Sequence, residues 1–257
     1  MNEDVLVRLD DSVLVVMLNR PAKKNALTAQ MYGALAAAIS EAESRDDVQA
    51  VLLKGEGGNF TSGNDIGMFV SGPVAEQRES PAVPFLQAMT SLRKPVVACV
   101  RGHAVGIGAT VLLHCDYVVA SDDARIRFPF VDLGLCPEFA STLLLQHVVG
   151  RNKAAEWLLL GATIPAAEAH QAGLVNRIVP LGLVEEEALS IAKRFAIKPR
   201  QALLATRGLI RESTEALIKA RIEREGTVFD TLRRSREAQE IFQQFLQRAP
   251  DAAATRV

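Results

Sequence analysis

The feature that most constrains this chain is a recurring order of short apolar run, glycine-bearing loop and amphipathic helix. Ala50-Val-Leu-Leu-Lys54 is a buried-strand run ended by Gly55, and a loop follows to Phe60. Pro95–Val100 repeats the pattern, with a glycine turn at Gly102–Gly106, a mostly apolar helix over Ile107–His114 and a further strand at Tyr117–Ala120. Runs this short with helices between them build parallel strands joined by helical crossovers, so the predicted class is α/β. Ahead of them, Val5–Asp10 and Val13–Asn19 read as an opening hairpin about Asp11-Ser12. Thr28 is placed to cap a helix whose apolar stripe is Met31, Leu35, Ala38, Ile39 and Ala42.

From Ser141 onward the order changes to successive helices, expected at Asn152–Leu160, Pro165–Gln171, Glu185–Ala196, Pro199–Arg211 and Thr214–Arg248. Gly161, Gly173, Pro180 and Pro199 punctuate them. Residues 1–200 are therefore expected to form the α/β core and 201–257 a helical region. That region carries an apolar stripe of Leu217, Ala220, Val228, Leu232, Ile241, Phe242 and Phe245. A stripe of this kind must be covered, by the chain's own core or by a neighbouring subunit.

Charge narrows the partners. With 29 Lys and Arg against 30 Asp and Glu, nothing favours nucleic acid or a membrane surface. The longest apolar run, Ala104–Leu113, is too short to span a bilayer, residues 1–20 lack a signal-peptide core, and the terminal Ala254-Thr-Arg-Val257 is not a peroxisomal address. The expected location is cytoplasmic. Cys99, Cys115 and Cys136 fit neither a metal motif nor a disulfide framework and are expected to be reduced thiols.

Two loops carry the chemistry. Ser62-Gly63-Asn64-Asp65-Ile66 and Gly102-His103-Ala104-Val105-Gly106-Ile107-Gly108 both contain glycines that allow positive φ and a close approach of backbone to ligand. N–H groups at the start of the Ile107 helix lack intrahelical partners and sit at the positive end of its dipole. Such a turn can stabilise a negative oxygen, although many glycine turns only reverse the chain.

Three segments together resemble the crotonase, or enoyl-CoA hydratase/isomerase, family. They are Phe60–Ile66, Arg101–Gly108 with His114-Cys115-Asp116, and Gly173–Pro180, and the resemblance runs from about Val13 to Arg248. It implies a spiral of ββα units, a C-terminal helical region that forms a homotrimer or dimer of trimers, and an acyl-CoA thioester substrate. It places the oxyanion-hole amides on Asn64 and Ile107, an effect worth about 3 kcal/mol per donor. It sets the CoA end near Lys23, Lys24 and Ala26, with Asp65 and Ile66 beside them; the plain alternative for Lys23-Lys24 is a solvated loop. No metal and no cofactor beyond the CoA moiety of the substrate is implied.

The family's hydratases carry two acids, and the matching positions here are Thr110 and Phe130, neither of which titrates near neutrality. Instead Phe128–Ser141 resembles the Δ3,Δ2-enoyl-CoA isomerase subgroup, whose catalytic base falls on Glu138. Moving a double bond needs one base that takes a proton at one carbon and returns it at another. Phe128, Phe130 and Phe139 would surround that carboxylate with apolar surface and raise its pKa, with Gly106 and Thr110 also in the substrate pocket. The alternative for Glu138 is an acid at a helix N-terminus.

His103 is a candidate for lining the cavity and Asp132 for a solvated turn. Ser141 and Thr142 are candidates for capping or lining hydroxyls, while adjacent His114, Cys115 and Asp116 point apart and make a poor metal site. Three functions stay open: a 3-enoyl- to 2-enoyl-CoA isomerase; another reaction through the same enolate, such as hydration or isomerisation of an aromatic-degradation thioester; and a non-catalytic acyl-CoA-binding protein.

Overall fold

The computed structural model describes residues 3–70 and 80–248. In chain order the first half comprises β1 (Val5–Asp10), β2 (Val13–Leu18), α1 (Ala29–Ser44), β3 (Ala50–Gly55), α2 (Gly67–Val70), α3 (Val83–Ser91), β4 (Val96–Val100), β5 (His103–Val105), α4 (Ile107–Thr110), β6 (Tyr117–Ser121) and β7 (Arg125–Arg127). The second half comprises α5 (Ser141–Val149), α6 (Arg151–Leu160), β8 (Ile164–Pro165), α7 (Ala166–Gln171), β9 (Arg177–Val179), α8 (Val184–Ala196), α9 (Arg200–Arg233) and α10 (Arg236–Arg248).

The main sheet has the order β1-β2-β3-β4-β6-β9, with only the β1–β2 hairpin antiparallel. The fold is α/β with a parallel sheet. Side chains alternate across a strand, and here both faces are covered. Leu14, Val16, Val51, Leu53, Val96 and Ala98 join the larger core, while Val13, Val15, Ala50, Leu52, Val97 and Cys99 pack beneath Val184, Ala188 and Ile191 of α8. That two-sided burial is why these strands read as continuous apolar runs.

A second, three-stranded sheet, β5-β7-β8, is absent from the sequence expectations. The expected Gly102–Gly106 turn contains β5, and β7 is three residues long with a single buried side chain, Ile126. Runs this brief carry too little periodicity to register. The same brevity hid β9, inside the Gly173–Pro180 segment, which carried a family resemblance but no strand expectation. The helices α3 and α5 also lie outside the expected spans. The expected Ile107–His114 helix is one α turn, α4, followed by a 3-10 turn over Val111–His114.

The long helix α9 begins at Arg200, but the helical spans differ from those expected. Instead of breaking near 212, α9 runs without interruption to Arg233, because Thr214 turns its hydroxyl back onto the Arg211 carbonyl (3.1 Å). The break falls at Arg234-Ser235, where the Ser235 hydroxyl accepts from the Ala238 N–H (3.2 Å) and starts α10. Phe242 of α10 is fully buried in the main core, whereas Leu209, Ile210 and Leu217 of α9 are exposed. Of the expected 201–257 region, residues 249–257 lie outside the described residues, as does the chain end compared above with a peroxisomal address. Among the described residues no helix is long and apolar enough to cross a membrane.

Candidate active site

The two glycine loops lie side by side. Thr61 donates to the His103 carbonyl (2.9 Å) and accepts from the Val105 N–H (3.0 Å), while Leu27 donates to Gly63 (2.8 Å) and accepts from Asp65 (2.9 Å). Gly63 has φ 93°, and a Cβ there would lie 2.9 Å from the Val105 carbonyl oxygen; Gly106 has φ 58°. No side chain fits between the loops at Gly63. The Gly63 N–H donates to the Thr61 hydroxyl (3.1 Å) and the Gly106 N–H to the Arg127 carbonyl (3.0 Å). Between those committed groups, the N–H groups of Asn64 and Ile107 find no protein acceptor among the described residues. Ile107 is also the first residue of α4, where an N–H has no intrahelical partner.

A cavity of about 1320 Å³ opens beside Asn64, with Tyr32 of α1, Leu86 of α3, Phe69, Glu138 and Phe139 in its wall and α9 along one side. Asn64 and Glu138 thus share one space. Ile107 and Gly106 are not in that wall: the Ile107 side chain is buried in the core beneath the loop.

Glu138 is 9% exposed, and its carboxylate accepts no hydrogen bond from a described residue. Burial first, and the nearby charge of Glu225 second, push its pKa up to about 8. The helix-capping alternative is not what the structure shows. The acid that accepts the Thr142 N–H in the first turn of α5 is Glu225, reaching across from α9 (3.0 Å), and Glu225 also accepts the Thr142 hydroxyl (2.5 Å).

The turn that carries Glu138 is strained. Phe139 and Ala140 both have positive φ, 62° and 55°, a region that costs a residue with a Cβ about 1–2 kcal/mol. Three contacts hold it. Ser141 donates its hydroxyl to the Glu138 carbonyl (2.6 Å), His114 stacks on the Phe139 ring (3.7 Å between centroids), and His114 Nε2 lies 2.8 Å from the Phe139 carbonyl. Burial lowers the His114 pKa to about 4, so the ring is neutral and its Nε2–H is the donor to that carbonyl.

Tyr32 belongs to the site and is absent from the sequence expectations. Its hydroxyl donates to Asn64 Oδ1 (2.5 Å), its ring lies 6.1 Å from Phe85, and Phe85 lies 6.2 Å from Phe139. Desolvation, and then the charge of Glu138, hold the phenol well above its ordinary pKa. Tyr32 follows Met31 on the buried face of α1, where its hydroxyl is indistinguishable by sequence from another core aromatic.

Other expected residues separate from the cavity. Phe128 and Phe130 are buried in the core and do not border it; the aromatic residues that share the wall with Glu138 are Tyr32, Phe69, Phe139 and Phe229. Thr110 is fully buried, its hydroxyl 3.3 Å from the Ile107 carbonyl. His103 is exposed rather than lining the cavity, and Asp132 pairs with Arg127 (2.9 Å).

Lys23 and Lys24 are exposed in a loop tied to the first glycine segment through the Ser62 N–H and the Lys24 carbonyl (2.9 Å). Arg20 joins Ala26 to Asp65 by donating to the Ala26 carbonyl (3.0 Å) and pairing with the Asp65 carboxylate (2.8 Å), beside half-buried Ile66. These five residues form one neighbourhood apart from the cavity wall.

The sequence model of a family described as enoyl-CoA hydratase/isomerase matches residues 8–252. Rat enoyl-CoA delta isomerase 2 is 34% identical over 254 residues, 97% of this chain and 65% of its own length. The 2,3-dehydroadipyl-CoA hydratase of Escherichia coli K12 is 31% identical over 249 residues, 96% of this chain and 98% of its own. Among solved structures, an enoyl-CoA hydratase/isomerase from Pseudoalteromonas atlantica T6c superposes with a TM-score of 0.90 at 37% identity, covering 95% of this chain and 97% of that one.

Proposed function

Because the chain belongs to the enoyl-CoA hydratase/isomerase family, we propose that it is an acyl-CoA double-bond isomerase, converting 3-enoyl-CoA to 2-enoyl-CoA with Glu138 as its single base. The observation that carries this reading is the Glu138 carboxyl: buried, without a hydrogen-bond partner among the described residues, and in the same cavity wall as Asn64, while the two positions of the hydratase acids hold Thr110 and Phe130.

Glu138 removes a proton from C2 of the thioester. The C2–H electron pair becomes a C1=C2 double bond as the carbonyl π pair moves onto oxygen, giving a dienolate conjugated with C3=C4 that the Asn64 and Ile107 N–H groups stabilise. Glu138, now protonated, delivers that proton to C4 as the carbonyl reforms with the double bond between C2 and C3. The raised proton affinity suits a group that must both take and return a proton near neutrality. Tyr32 orients Asn64 through its side chain. The CoA end rests at Lys23, Lys24, Ala26, Asp65 and Ile66, and the chemistry uses no metal or further cofactor.

We also propose a homotrimer or dimer of trimers, for which the exposed Leu209, Ile210 and Leu217 of α9 are the support; a monomer by light scattering across micromolar concentrations overturns it. The activity is tested by incubating 3-enoyl- and 2-enoyl-CoA thioesters with the protein and identifying products by mass and NMR. Isomers without hydration are expected. Glu138→Gln, which keeps the shape and removes the base, should lose ~10²–10⁴-fold in turnover with acyl-CoA affinity retained. Hydration of 2-enoyl-CoA without any double-bond shift, or near-native isomerisation by Glu138→Gln, defeats the one-base reading.

A further inference from the structure

Behind the base stands a second buried acid with no part in the reaction as written. We propose that Glu225 of α9 is a positioning residue for Glu138, clamping the strained turn that carries it and setting, by its charge, the pH range over which Glu138 can accept a proton. This rests on Glu138 being the base.

Geometry comes first. Glu225 is 5% exposed on a helix whose other residues are nearly all at least partly exposed, and it reaches into the α5 N-terminus where the chain's own capping position, Ala140, has no polar side chain. Its Oε1 accepts both the Thr142 N–H and the Thr142 hydroxyl, and Arg221, one turn earlier, donates to that hydroxyl (2.8 Å). Strain at two successive Cβ-bearing residues persists only where the surroundings over-determine the backbone. Here His114 and Ser141 grip one end of the turn and Glu225 the other.

Charge is the second half. Glu225 Oε2 and Glu138 Oε1 are both buried without partners among the described residues, an arrangement that costs stability and that an uncharged residue capping Thr142 would lessen. Burial raises the pKa of Glu225 as well, while its hydrogen bonds from Thr142 and the nearby Arg221 charge favour its ionised form; two nearby carboxyls resist joint ionisation, so a charge on Glu225 makes Glu138 hold its proton more tightly. The other groups around Glu138 supply little to offset it. Tyr32 and Cys136 are neutral with raised pKa values, His114 is neutral beneath Phe139 with Arg207 and Arg211 beyond it, and Arg221 is committed to Thr142. Of the charged residues of the cavity wall, Lys219, Glu223 and Arg234 are exposed and more strongly screened, while the largely buried Arg233 pairs with half-exposed Asp230 (2.9 Å).

The test separates clamp from charge. Glu225→Gln keeps an oxygen for Thr142 and removes the charge; Glu225→Leu removes both. For Glu225→Gln the rising limb of the pH profile of kcat/KM should move about half a pH unit or more to the acid side, with the plateau within about threefold of native. Glu225→Leu should lower kcat about tenfold or more with KM little changed.

The δ-carboxyl 13C resonance of Glu138, identified by its loss in Glu138→Gln, gives the same answer without turnover. In native protein it should titrate near pH 8 in a broadened curve that also registers Glu225. A Glu138 titration in the ordinary carboxylate range overturns the proposal even if no Glu225 variant folds. So does a Glu138 titration unmoved in a folded Glu225→Gln. If Glu138→Gln keeps its turnover, the isomerase reading fails instead, and the carboxyl titration still decides whether Glu225 governs Glu138.

Discussion

At segments 61–64 and 104–107 the backbone reaches positive φ at glycines, and its free N–H groups are aimed by bonds to residues in adjacent loops. At 138–140 it reaches positive φ at Phe139 and Ala140, and the conformation is held by side chains from His114 and Glu225, 25 and 87 positions away from Phe139 and Glu138. The first region is written into its own residues; the second is imposed by the rest of the molecule. The proposed oxyanion site, made of backbone, should be insensitive to most side-chain changes and vulnerable at its glycines. A carboxyl on an imposed turn is vulnerable through residues that never meet substrate.

The sharpest way to break this contrast is Gly63→Ala. Its Cβ would meet the Val105 oxygen at 2.9 Å in a backbone conformation that alanine disfavours, displacing the Asn64 N–H. A loss of ~10²-fold or more in kcat/KM is expected, the scale of one oxyanion donor, and near-native kinetics would show that glycine is not what aims the loop.

Next in size is a pH-dependent change in stability. The folded pKa of Glu138, about 8, exceeds its value of 4.5 in an unfolded chain, so the folded state binds the extra proton and its stability falls as pH rises through that window. Glu138→Gln removes this slope. Its Tm should match native at pH 5 and exceed it by on the order of 5 °C at pH 8; an equal difference at both values contradicts an unpaired buried carboxyl.

A smaller effect is expected at Ala140→Gly, which relieves the left-handed strain at φ 55° but frees the unfolded chain: a net gain within about 1 kcal/mol by denaturant unfolding, with a few-fold loss of turnover as the turn loosens. Loss of stability there would mean that Ala140 is not strained. Smallest are Thr110→Ala and Phe130→Leu, expected within about threefold of native turnover, since neither group titrates and neither borders the cavity. A large loss at either returns the hydratase positions to the chemistry.

Legibility followed the range of the interactions. The strands that pair in register, such as Val51 with Val96 and Val97 with Tyr117, were readable because burial on both faces leaves an unbroken apolar run. The helix behind Thr28 was readable from its cap, and the structure has that cap, the Met31 N–H on the Thr28 hydroxyl (3.2 Å). The span of α9 was misjudged because Ser213-Thr214 look like a new cap and are instead absorbed into the helix. Tyr32 and Glu225 gave no signal, since one sits in an apolar stripe and the other in a charged helix, and neither lies near a motif.

The α/β order, the paired glycine loops and the presence of titratable Glu138 beside two non-titrating positions were determined by the sequence alone, because glycine placement, apolar runs and residue chemistry are local properties. Which carboxylate would be buried and unpaired, and which would cap α5, was decided only in the tertiary structure. Proton affinity depends on desolvation and on charges brought close in space, and the charge that acts on Glu138 comes from Glu225 on a helix that begins more than sixty residues later in the chain.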